Sequence, residues 1–136
     1  NHPETMLSNI EDQRELFDVE EFKALVKKAI VSELEPSELD AIGIVDNHLE
    51  LHLVDPVGWE EEIEAVHLEI LQEKLNNYIY FLESKQYVER YGDSFDKKVI
   101  HITFQYSPSD NGLAFLAAVQ KVLQPTDMSL KVELPE

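Results

Sequence analysis

The sequence predicts an α+β fold: two layers, with a four-stranded mixed sheet carrying helices on one face, in the order α-β-β-α-β-α-β. Three observations carry this. Residues 48–53, 100–106 and 128–134 alternate apolar and polar side chains, the period of a strand with one wet face. Residues 22–30 and 63–82 repeat apolar side chains three and four apart, the period of a helix lying on a core. Proline, glycine and Asp-Asn punctuation falls near the ends of these runs.

The first helix is expected over 18–33, where Asp18 and Glu21 have capping-box spacing and Phe22, Leu25, Val26, Ala29 and Ile30 follow at helical intervals. Pro36 ends it, because the residue before a proline avoids helical dihedrals. "AIGIV" and "HLELHLV" then flank Asp46-Asn47, two residues that tolerate the positive φ of a tight hairpin. Leu49, Leu51 and Leu53 alternate with His48, Glu50 and His52, giving one buried and one wetter face.

The long helix is expected to open at "VDPVGW", with Asp55 as N-cap, Pro56 at the first helical position and Val54 packing on Trp59 as a hydrophobic staple. Its acids Glu60, Glu61, Glu62 and Glu64 then suit the positive end of the helix dipole. "KKVIHITFQYS" reads as a third strand with Ile100, Ile102, Phe104 and Tyr106 on one side. Ser107, Pro108 and Asp110 start a third helix over 108–123 that stops before Pro125, and "MSLKVEL" gives the last strand. The third helix bridges two strands as a right-handed parallel crossover. The expectation is a single domain over residues 18–136 after a flexible N-terminal segment, residues 1–17, of which residues 1–5, ahead of Met6, are a candidate expression remnant.

Composition narrows the function classes. At 136 residues with 43% hydrophobic side chains the chain can bury about two-thirds of its unfolded surface, which excludes a disordered protein. The absence of cysteine removes disulfides, thiolate metal sites and thiol nucleophiles, and suits a reducing, cytoplasmic setting. No apolar run approaches the roughly 20 residues that span a bilayer, and the start of the chain lacks the features of a signal peptide. The net charge of −17 is uneven: residues 41–96 hold 13 acids against 3 bases, whereas residues 97–136 hold 4 of each. Such a field repels nucleic acid and anionic membrane and steers a basic protein inward. A well-solvated surface is the plainer explanation of the same charge.

From Asp40 onward the chain resembles a small bacterial domain-of-unknown-function family, number 6572. The residues that carry the resemblance are "DAIGI" (40–44), Asp55 with Trp59, and the run His67, Leu68, Leu71, Gln72, Lys74, Leu75, Asn76, Tyr78, Phe81 and Ser84, with Tyr91 beyond. Lys85 follows Ser84 where the family pattern has Ser-Gly. The resemblance covers about two-thirds of the chain, leaves residues 1–39 aside, and implies one compact α+β domain. It implies no activity, cofactor or site residue.

Three constellations invite chemistry. His67 and Lys74 both fall inside the apolar arc of the long helix, two turns apart, where burial tunes general bases. The plainer reading is that Lys74 extends its ammonium past the sheet edge while His67 makes one hydrogen bond beneath the hairpin. Asp55, Trp59 and His67 would frame a pocket at the start of that helix, although cap and staple already account for the first two. "HLELH" suggests a metal motif, but residues four apart on a strand are separated by about 13 Å, so His48 and His52 cannot share an ion. His101 would join Glu50 and His52 only if the second and third strands pair. No phosphate loop, nucleophile elbow, HExxH or basic aromatic patch is present.

The expectation is therefore a non-enzymatic acidic interaction module, monomeric or homodimeric, with no cofactor, no nucleic acid and no membrane. Its partner would be a basic protein engaged by the first helix, the hairpin and the outer face of the long helix. The alternative is a small-molecule or catalytic domain using Asp55, Trp59, His67 and Lys74.

Overall fold

In a computed structural model, which describes residues 18–136, helix α1 (Val19–Glu33) precedes the hairpin β1 (Ala41–Val45) and β2 (His48–Asp55). Helix α2 (Glu64–Glu83), the one-turn α3 (Val88–Tyr91), strand β3 (Lys98–Phe104), helix α4 (Asp110–Leu123) and strand β4 (Met128–Glu133) follow. The strands lie side by side in chain order, β1-β2-β3-β4. β1 runs antiparallel to β2, and β3 and β4 run parallel to it, so both β2-α2-β3 and β3-α4-β4 are crossovers. The class and the order of the main elements are those expected from the pattern, with α3 added. The expected segment 1–17 lies outside the described residues.

The hairpin turns on Asp46 (φ 48°) and Asn47 (φ 64°), the paired left-handed conformation in which strand twist matches turn twist. In β2 the alternation works as anticipated: Leu49, Leu51 and Leu53 are buried and point to the same side as Ile100 and Ile102 of β3. Ile70, Leu71, Leu75, Tyr78 and Leu82 of α2, with Leu116 and Leu123 of α4, complete one core on that side. Val54, on the other side, is 49% exposed.

Two helix starts differ from the expected ones. α2 begins at Glu64, behind a non-helical stretch from Pro56, and its N-cap Ile63 makes no side-chain hydrogen bond. Asp55 instead ends β2, and its Oδ1 accepts from Val57 N at 3.0 Å, turning the chain locally. Val54 faces away, so no staple forms; Trp59 packs on His67 and Phe104. α4 is capped by Ser109, which accepts from Gly112 N, two residues later than Ser107. The bare Cα of Gly112 is what lets the Trp59 ring approach, since a methyl there would lie 3.0 Å from the indole.

α2 ends on a residue in the left-handed region. Lys85, directly after the cap residue Ser84, adopts φ 58°, the left-handed conformation that glycine occupies without strain. Lys85→Gly is expected to stabilise the domain by about 0.5–1 kcal/mol, because the exposed ion pair it loses to Asp93 is worth little. Urea denaturation midpoints of the two chains measure it; a lower midpoint for the glycine variant contradicts the strain argument.

Candidate functional site

Polar groups on α2 meet the sheet in two buried clusters. At the end of β2, His67 Nε2 stands 2.6 Å from Asp55 Oδ2, and both side chains are completely shielded from solvent. His67 Nδ1 donates to Gly58 O at 2.8 Å. Both ring nitrogens face acceptors, the Gly58 carbonyl on one side and the Asp55 carboxylate on the other, which fixes the plane of the imidazole. Trp59 covers this pair, its ring centroid 3.8 Å from that of the imidazole.

Two turns on, Lys74 is 1% exposed and donates to Asp40 Oδ1 at 2.8 Å. Asp40, just before β1, accepts from Val54 N through its other oxygen at 2.8 Å. The Asp40 amide donates to Tyr78 Oη, whose hydroxyl donates to the His52 carbonyl at 2.7 Å. Burial pushes the Tyr78 phenol above its ordinary range, so it stays a donor. His67 and Lys74 thus do not share a partner: each is held by its own carboxylate, and together they pin α2 to the hairpin and to the end of β2.

The four residues Asp55, Trp59, His67 and Lys74 line neither the cleft between α4 and β4, nor that beside Pro36 and Tyr80, nor that between α1 and the β2–α2 connection. What the arrangement does chemically is neutralise and fix; a substrate would have to part the helix from the sheet to reach it.

The sheet face opposite the core, on which no helix packs among the described residues, brings a different set together. β2 and β3 pair with His52 opposite His101, so the condition set for a metal cluster is met. His101 Nδ1 donates to Glu50 Oε1 at 2.8 Å, His52 Nε2 lies 3.3 Å from the same oxygen, and the two imidazole centroids are 4.8 Å apart. Candidate donor atoms of Glu50, His52 and His101 all fall within 4.8 Å of one another. His48, next along that face, is not in the group. Small residues, Ala41 and Gly43, are the β1 neighbours of His52 and Glu50, leaving the shelf open on that side.

A third polar cluster was not singled out by the sequence. Lys98, at the start of β3, is bonded to Asp127 and lies over the Tyr87 ring, while Tyr87 Oη donates to Asp93 at 2.8 Å. Burial pulls the Lys98 ammonium down, but the hydrogen bond with Asp127 and then Tyr87 outweigh it and leave the group above its ordinary value. Only the phase of Lys98, which falls on the apolar side of β3 with Ile100 and Ile102, hints at this, and Lys97 beside it looks the same in composition.

The model of a family of unknown function, DUF6572, matches residues 31–136, more than three-quarters of the chain. The chain belongs to that family. The DUF6572 region takes in both α2 clusters and the histidine shelf, and begins near the end of α1, nine residues before Asp40. No curated protein and no solved structure matches this DUF6572 chain. Among its described residues no helix is long and apolar enough to cross a membrane.

Proposed function

We propose that the chain is a non-enzymatic protein-interaction module of the bacterial cytoplasm whose partner presents a basic surface. An immunity or antitoxin-like role is one concrete form of that reading. One observation supports it above the others: a groove of about 540 Å³ between α1 and the β2–α2 connection has an apolar floor and an acidic rim. Val26, Ile30, Val57 and Ile63 make the floor, and Glu33 and Glu60 the rim, with Glu61 and Glu62 exposed beside it. Among the described residues, the ion pairs on α1 and α2 reach Glu20, Glu69 and the buried His67 and Lys74, and none involves these four acids. Unpaired carboxylates around an apolar trough suit a cationic, amphipathic surface, which gains contact from the floor and long-range steering from the rim.

The test is affinity capture with the parent chain and with Glu60→Gln, Glu61→Gln and Glu62→Gln combined. A captured protein should be net basic, be released steeply between about 0.05 and 0.5 M salt, and be lost from the triple variant. Capture that is indifferent to salt and to the three substitutions, or no partner at low salt, overturns the reading.

The catalytic alternative keeps one supporting observation, the 2.6 Å His67–Asp55 contact beneath Trp59. It needs an opened form of the seam.

A further inference from the structure

We propose that Glu50, His52 and His101 bind one divalent transition-metal ion of the zinc class on the sheet face opposite the core. Two imidazoles and a carboxylate are a donor set that suits such ions, and three protein donors on an open shelf leave further positions for water or a ligand. The parallel register places His101 directly across from His52, and Glu50 one pleat away on the same face, so the donors converge from two adjacent strands. Donors around one zinc ion stand about 3.4 Å apart when its bonds are about 2.1 Å. With all candidate atoms already within 4.8 Å, rotation of the half-exposed His52 ring and a modest opening of the 2.8 Å pair between His101 Nδ1 and Glu50 Oε1 close the set.

A second observation concerns His101, which is 9% exposed. Its Nδ1 faces Glu50 at 2.8 Å, and its buried Nε2 has no hydrogen-bond partner and faces Glu133 Oε1 at 3.7 Å. A neutral ring between two carboxylates has one bare nitrogen and only one proton to offer them. A metal ion in place of the proton between Nδ1 and Glu50 resolves this, for the proton then moves to Nε2 and points at Glu133. That is the carboxylate–histidine–metal arrangement in which an outer acid fixes the ring of a ligand. Lys131, in register with His101, is exposed and is the cation this face already carries. The site is independent of the acidic groove, which lies by α1.

The experiment titrates the full chain, stripped with a chelator, with zinc chloride by calorimetry and follows its melting temperature. One equivalent should bind, and the melting temperature should rise by about 5–10 °C at a hundredfold excess over Kd. His52→Gln, on a partly exposed ring that the fold does not need, should weaken binding at least tenfold. Glu133→Gln should weaken it about tenfold with the stoichiometry kept, and His48→Gln should leave it unchanged. The proposal is overturned if zinc leaves the melting temperature unmoved, or if His48→Gln weakens binding as much as His52→Gln, which is the mark of scattered surface histidines.

Discussion

Replacing His67 by alanine should cost the fold about 3–5 kcal/mol, because it strands the Asp55 carboxylate in a site without water. Asp55 would retain the Val57 amide as a donor and lose its counter-charge. The imidazole also fills space against Trp59, so the alanine leaves a void there as well. Urea denaturation of the parent, His67→Ala, Asp55→Ala and the double variant separates these contributions. The pair should couple by about 2–3 kcal/mol, with the double variant well below the sum of the singles. Single variants whose costs simply add, or a His67→Ala chain within about 1 kcal/mol of the parent, would show that the contact is incidental.

The second large effect belongs to Lys74. Its stem runs through the core, so Lys74→Ala should cost about 3 kcal/mol through lost packing and an unpaired Asp40. Lys74→Met keeps the volume and removes only the charge. Asp40 is partly exposed and still accepts from Val54 N, so the methionine variant should lose only about 1–2 kcal/mol. Equal losses in the two variants would mean that the ammonium, not the stem, carries the whole effect. Chemical denaturation midpoints at neutral pH decide between them.

Much of the fold was legible because its signals are local. Leu49, Leu51 and Leu53 need only the period of two to declare a buried face, and Asp46-Asn47 needs only its own dihedral tolerance to declare a hairpin. The start of α2 was misread for the opposite reason. Asp55-Pro56 has the local chemistry of a helix cap, but its carboxylate is claimed by His67, twelve residues away, and by the Val57 amide, and the helix starts only at Glu64. A lysine in an apolar arc points to an ammonium reaching past the sheet edge, whereas that of Lys74 stops on Asp40, a partner 34 residues away that helical spacing does not reveal. The histidine shelf was legible only as a condition, since alternation assigns His52 and His101 to a face but does not set one strand's register against another. Tyr78 showed as an apolar position, and its role in bridging Asp40 and the His52 carbonyl depends on that same unseen register.

Because the four strands sit in the sheet in the order in which they occur along the chain, each finds its neighbour already present when assembly proceeds from the amino end. The bolts Asp55–His67 and Asp40–Lys74 close loops of 12 and 34 residues, both complete before β3 begins. Hairpin and long helix therefore make a self-sufficient template, onto which β3 and then β4 can be laid without any earlier piece having to move aside.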